Sequence, residues 1–223
     1  MVHRWEQLTF LHWPYDPAEV QALLPDGLTV ETYEGRAWVG LVPFHMTVRA
    51  PGIPPLPWLS RFPETNVRTY VTGPGGVTGV WFFSLDASRL PAVLGGRALN
   101  IRYCWSRMRL GRCGDVVRYV STRRWPGPRK ARNVTEVEAG APYAPGELTD
   151  FDHWLTARFR LWTVIAGRPV RMQAHHPPWQ LRRATVKALD TGLLTAAGLT
   201  QPTAQPITHF ADGTEVLIGL PRR

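Results

Sequence analysis

From Phe62 to Asp86 the chain reads FPETNVRTYVTGPGGVTGVWFFSLD, two strand-like runs joined by a glycine-rich turn. Side chains on a strand alternate between its faces, so Glu64, Asn66, Arg68 and Tyr70 share one face of the first run. Thr65, Val67, Thr69 and Val71 take the other face, with residue types that strands favour. A polar stripe alone is compatible with a face turned to water. The second run, Val80-Trp81-Phe82-Phe83-Ser84-Leu85, is nearly all apolar, the pattern of a strand covered on both sides. Such a pair belongs inside a sheet, which places Glu64 and Arg68 in a protein-lined space. A charge there needs a partner or a ligand.

The chain's 223 residues suffice for one large β-rich domain with a sizeable core. Hydrophobic residues make up 44% and charged residues 19%, which argues against disorder. No apolar run approaches the roughly 18 residues of a membrane span. The start, MVHRWEQLTF, has no apolar stretch behind its basic residues, so no secretory signal is expected. Cys104 and Cys113 are too few for a disulfide framework and form no CxxC, and a reducing cytoplasm is the expected compartment. The net charge of +9 comes almost entirely from arginine, the only lysines being Lys130 and Lys187. Its densest cluster, Arg118, Arg123, Arg124, Arg129, Lys130 and Arg132 around Trp125, could grip phosphates while the indole stacks on a base. The alternative is a solvated hairpin and loop. No helix-turn-helix, RNP or zinc-finger pattern accompanies the cluster, so nucleic acid is not the expected partner.

Strand signals dominate the rest. Residues 5 to 12 read as a first strand. Asp16-Pro17-Ala18-Glu19 predicts a capped helix, Asp16 at the cap and Glu19 completing a capping-box-like arrangement, ending at Pro25-Asp26-Gly27. Residues 29 to 33 and 36 to 48 predict a hairpin across Glu34-Gly35. Five prolines between Pro51 and Pro63 mark a long loop, expected to act as a lid or wrap over a pocket. Residues 88 to 99 predict a helix broken at Pro91 and at Gly95-Gly96. Residues 100 to 110 and 116 to 125 predict a hairpin, and 132 to 138 a further strand. Thr149 caps an expected helix, DFDHWLTARF, with Phe151, Trp154, Leu155 and Phe159 on one face. Two strands then meet across residues 166 to 169. A strand at 183 to 189, a short helix at 193 to 197 and a last hairpin across Asp212-Gly213 complete the series. No linker or repeat divides it: residues 1 to 223 read as one mainly β, α+β domain with few short helices.

Within this frame Glu64, partly buried, is the candidate general acid or base, its pKa raised by desolvation. Arg68 is the candidate clamp for a carboxylate or enolate. They could instead pair with each other. Four residues along a strand, however, separate them by roughly 13 Å, which favours separate partners. Asn66 and Tyr70 continue the stripe as binding candidates, joined by Tyr103. His175 and His176 are adjacent and point to opposite faces of a strand. We take His176 as the proton shuttle, with His175, His45 and Trp179 as further binding candidates. A satisfied histidine before Pro177-Pro178 is the plainer reading. Trp58, on the proline-rich loop, is the candidate to cover a ligand. Asp86 is expected to cap the following segment. Cys104 reads as buried filler, no GxSxG elbow is present, and the absence of HExxH leaves no expected metal site.

The blocks VGLVPFHM, FPETNVRTYV, GVWFFSLDA and HHPPWQL, in that order, resemble the YqjF-like family over nearly the whole chain. That family is similar, more distantly, to the acetoacetate decarboxylase superfamily, through DPAEVQALLPDGL and the order of elements. The resemblance implies a closed, curved antiparallel sheet around a central cavity, often in an oligomer. It also implies an acidic residue at Glu64 and an arginine near Arg4. The Schiff-base lysine of the decarboxylases would fall within Leu99 to Trp105, LNIRYCW, which contains none. The expected function is therefore a cofactor-free enzyme, of lyase, isomerase, hydratase or cyclase type, working on a small carbonyl- or carboxylate-bearing molecule without a Schiff base. The alternatives are a non-catalytic small-molecule-binding protein and, behind it, a basic nucleic-acid-binding module.

Overall fold

The computed structural model of the protein describes residues 1–222. In chain order its elements are β1 (Val2–Tyr15), α1 (Pro17–Gln21), β2 (Thr29–Val30), β3 (Thr32–Tyr33), β4 (Arg36–Arg49), β5 (Arg61–Gly73), β6 (Val77–Ala87), α2 (Leu90–Ala98), β7 (Tyr103–Cys113), β8 (Val116–Trp125), β9 (Arg132–Pro142), α3 (Asp150–Thr156), β10 (Arg160–Ile165), β11 (Arg168–His175), β12 (Leu181–Thr191), α4 (Leu193–Ala196) and β13 (Ile207–Ile218).

Five strands, β13, β1, β4, β5 and β6, lie side by side and antiparallel. Both outer strands of this set split between two neighbours. At β6, Val80 and Trp81 run parallel to β10, whereas Leu85 to Ala87 run parallel to β7. At β13, residues 209 to 211 pair with β12, whereas Leu217 and Ile218 pair with β11. The sheet thus closes twice on the same five strands, once through β10 and β11 and once through β7, β8, β9 and β12. It is the mainly β, closed architecture expected, antiparallel except at the two junctions of β6.

Two irregularities set which side chains face inward. Val67 pairs with Ser84 but Arg68 pairs with Phe82, leaving Phe83 as an extra residue in β6. This bulge re-phases the alternation: Phe82 and Leu85 line a cavity within the first ring, while Trp81 and Phe83 join an apolar core on the opposite face with Trp13, Leu41 and Leu193. The second irregularity lies at Asp212-Gly213. The sequence predicts a hairpin there, but β13 runs straight through. Gly213 has φ +153°, and a Cβ there would sit 2.6 Å from the Trp5 carbonyl oxygen, so the position calls for glycine. Gly213 pairs with Glu6; the next residue, Gln7, takes φ 50° and is unpaired, and here the pairing of β1 with β4 slips by one residue between Glu6 and Leu11. This bulge turns both Trp5 and Leu8 inward.

Other expectations are revised on physical grounds. The helix at 90 to 98 is unbroken: Pro91 falls in its first turn, where a missing N–H leaves nothing unpaired. Asp86 does not cap it, being engaged across the sheet with Arg123. Asp16 caps α1 by accepting from Ala18 N at 2.7 Å, but Glu19 turns outward and accepts from Thr200 N, also at 2.7 Å, tying α1 to the chain after α4. Thr149 and Asp152 form the capping box of α3, which ends at Thr156, so Phe159 lies beyond it.

Candidate ligand-binding site

Within the first ring lies a cavity of about 360 Å³, and every one of the seven strands around it contributes to the lining. Helix α2 covers one side through Ala92, Gly95 and Gly96. The helix can sit this close because Gly96 has no side chain: a Cβ there would overlap the Tyr103 ring. The walls are largely aliphatic and aromatic, and the polar residues form a short set on β5 and its neighbours.

Glu64 is 2% exposed and accepts a hydrogen bond from the Tyr103 hydroxyl at 3.0 Å. Among the described residues no cation pairs with it. Burial in these apolar walls raises its pKa to about 8; the Tyr103 hydrogen bond opposes the shift and the Asp86 charge adds to it. The tyrosine is in turn held well above its ordinary range, by burial first and then by the Glu64 charge. Near neutral pH the pair therefore stays protonated at both oxygens.

Arg68 lies beyond Asn66 on the same face of β5. It is 8% exposed, its Nη2 donates to the Leu155 carbonyl oxygen at 3.4 Å, and its Nε has no partner. The guanidinium sits 5.2 Å from the Phe10 ring centroid and 5.9 Å from that of Tyr70. No carboxylate pairs with it among the described residues, so Glu64 and Arg68 do not form the ion pair that the sequence left open. Asn66 Oδ1 is also buried without a partner. Toward the opposite end, His3 lines the cavity with both ring nitrogens unpartnered, its pKa lowered to about 4 chiefly by burial.

Tyr70 lies below the cavity rather than on it. Its hydroxyl donates to Leu155 O at 2.6 Å and contacts His12 Nε2 at 2.7 Å. The Leu155 carbonyl is in the last turn of α3, where intrahelical partners run out, and Tyr70 and Arg68 supply them. His12 is driven well below its ordinary pKa by burial and then by the Arg68 charge, so it is the neutral ring that meets Tyr70.

The other sequence candidates divide. Trp179 lines the cavity, stacks on Trp5 at 6.2 Å and donates from its indole nitrogen to Thr156 O at 3.0 Å. His176 is buried but stands behind that tryptophan wall, 4.8 Å from the Trp179 ring, with Nδ1 against Pro177 O at 2.7 Å. This is the satisfied histidine of the plainer reading. His175 is exposed. His45 projects from the other face of β4, beside Glu6. Trp58 is 70% exposed and stacks on Arg89, and no residue from 50 to 60 lines the cavity, so α2 takes the covering place expected of the proline-rich loop. His3 and Trp5 escaped the sequence reading, although their every-second-residue spacing at the start of β1 was a usable signal.

A second buried charge cluster faces the other ring. Asp86 holds Arg123 through two contacts, Nε to Oδ1 at 2.9 Å and Nη2 to Oδ2 at 2.6 Å, and accepts from Ser106 Oγ at 2.6 Å. Arg123 also donates to Ser84 Oγ at 2.9 Å. Its pKa is raised: burial acts against its charge, but the Asp86 contacts outweigh it. The centre of the basic cluster is thus an internal ion pair.

Residues 2–215 match DUF2071, described as "Uncharacterized conserved protein (COG2071)". The chain belongs to this family. It is 36% identical, over 97% of its own length and 89% of the relative's, to the Uncharacterized protein YqjF of Bacillus subtilis (strain 168). Among solved structures it resembles an acetoacetate decarboxylase-like enzyme from Sphingomonas wittichii RW1 (TM-score 0.63, 14% identity, 100% of this chain and 92% of that one). It also resembles the acetoacetate decarboxylase of Legionella pneumophila (TM-score 0.63, 13% identity, 100% and 88%). The enduracididine biosynthesis enzyme MppR, complexed with pyruvate, gives a TM-score of 0.64 at 12% identity (99% and 89%). At such identities the likeness establishes the fold. The segment from Leu99 to Trp105 contributes Tyr103 to the cavity, and neither lysine lines it.

Proposed function

We propose that this DUF2071 protein is an enzyme that holds a small carbonyl- and carboxylate-bearing molecule in the cavity and works on it without a Schiff base or other cofactor. The observation that carries the reading is Glu64: a buried carboxyl with no cation beside it, joined to Tyr103, whose proton is exchangeable near neutral pH. A group titrating close to the working pH is the effective kind of general acid or base. A proton held there can be delivered to a carbonyl oxygen as solvent water takes the proton from the neighbouring carbon, giving the enol, and Tyr103 stabilises the charge left on the carboxylate. The environment is the one in which a carboxylic acid stays neutral and donates a hydrogen bond to a developing enolate. Arg68, without a protein carboxylate, supplies a charge-assisted clamp for the substrate's own anion. A solved structure of the same fold, MppR, is complexed with pyruvate, an oxo acid.

Enolisation is the step shared by lyase, isomerase, hydratase and cyclase chemistry on such compounds, so proton exchange is the general test. Oxo acids of graded length, from pyruvate to 7-oxooctanoate, incubated in D2O with the protein and followed by NMR, are expected to exchange protons beside the carbonyl faster than without it, the longer ones most. The pH profile should inflect near 8, and Glu64→Gln should remove the acceleration. Binding without exchange by the wild-type protein would favour the second reading, a non-catalytic carrier, for which the lack of a nucleophile in the cavity speaks.

A further inference from the structure

Two features of the cavity restrict its ligand beyond the presence of a carbonyl and an anion. The first is spacing. Arg68 and Glu64 stand four residues apart on one face of β5, about 13 Å at their Cα atoms, and the Arg68 guanidinium is held against the Leu155 carbonyl and the Tyr70 ring, further along the strand from Glu64. A 3-oxo acid, with its carbonyl only two bonds from the carboxyl carbon, is too short to meet both. The second is the wall between them. Phe44, Val42, Phe82, Leu85 and Leu161 line the same space and offer a ligand no hydrogen bonds from their side chains. A volume of about 360 Å³ lies within the roughly 300–1,000 Å³ range of small-molecule pockets.

We infer that the site takes an elongated monocarboxylic acid: its carboxylate on Arg68, an apolar chain along these walls, and a carbonyl or hydroxyl several carbons away at Glu64 and Tyr103. The inference rests on the same cavity as the proposed function but concerns the length and polarity of what fills it. Arg68 selects the anion because its buried guanidinium has an unpartnered Nε and no carboxylate partner among the described residues. The walls select length because each methylene leaves water for an apolar surface. Asn66, between the two ends with an unpartnered Oδ1, leaves room for one further polar contact along the chain.

The test is affinity and needs no turnover. Acetate, butyrate, hexanoate, octanoate and 1-octanol are titrated into the protein, read by calorimetry and by the fluorescence of Trp5 and Trp179. From butyrate to octanoate, affinity should rise about fourfold per added methylene. Octanol should bind at least tenfold more weakly than octanoate. Arg68→Met should lose at least tenfold for octanoate while holding octanol within twofold. An oxo group at carbon 7 of octanoate should improve binding, and Tyr103→Phe should cancel the improvement. Acetate binding as tightly as octanoate, or octanol matching octanoate on the wild-type protein, would overturn the inference, and neither result depends on a variant folding. A flat length series with rapid exchange of pyruvate protons would defeat this inference and leave the enzyme reading standing. The length dependence without any exchange would do the reverse.

Discussion

Glu64 carries a cost that can be read in stability as well as in chemistry. Its folded pKa of about 8 stands above the ordinary 4.5, so between those two pH values the folded protein keeps a proton that the unfolded chain has released. Stability therefore falls as pH rises through this window and levels off above it. Glu64→Gln cannot ionise and loses the dependence. We expect urea unfolding at pH 5, 6.5 and 8 to show the variant gaining on the wild type with pH, by up to a few kcal/mol at ~1.36 kcal/mol per unit. Parallel pH profiles for the two proteins would mean that Glu64 is ionised in the fold. Arg123 presents the opposite case. Enclosed with Asp86 on the far face of β6, it is compensated, and removing it leaves a bare carboxylate in the interior. Arg123→Ala is expected to cost about 3–5 kcal/mol in denaturant unfolding. A well-folded Arg123→Ala protein that had lost affinity for DNA would instead revive the nucleic-acid reading.

At the scale of elements, the strand pair of β5 and β6 was legible because its two faces carry different chemistry. Glu64, Asn66 and Arg68 alternate cleanly, and the run beside them is apolar enough to require cover on both sides. The local alternation had no way to announce the bulge at Phe83, which depends on how Arg68 pairs with Phe82 across the sheet. The same holds at Gly213: Asp-Gly has turn chemistry in isolation, but here close approach to the Trp5 carbonyl calls for the glycine. The cover of the cavity was misplaced for a related reason. A proline-rich loop looks like a lid from composition, whereas the role of α2 rests on the fit of Gly96 against Tyr103, a contact between segments that composition does not reveal. His176 and His45 carried the right chemistry in the wrong places, since the histidine count says nothing about the wall of Trp5 and Trp179 or about the outward face of β4.

For the molecule as a whole, the double closure of the sheet separates two interiors, one hollow and lined by the β5 stripe, the other packed and held by Asp86 and Arg123. The fold is shared with acetoacetate decarboxylases, but the amine chemistry is not supported by what lies inside. A Schiff-base lysine requires a depressed pKa and a place in the cavity. Lys187 sits on the outside of β12, paired to Glu138 at 2.8 Å, which raises its pKa, and Lys130 lies in the loop between β8 and β9. Borohydride added with pyruvate or acetoacetate should therefore leave the protein mass unchanged at both lysines. A reduced adduct at either one would show that an amine reaches the substrate.

In the proposed reading, the buried, unpaired guanidinium of Arg68 and the protonated Glu64 face the same ligand. A crystal structure of the protein with octanoate decides the matter. The carboxylate is expected within hydrogen-bonding distance of Arg68 and the chain running past Leu85 and Phe44 toward Tyr103. Octanoate bound outside the ring, or Arg68 found paired with a carboxylate of the protein itself, would contradict it.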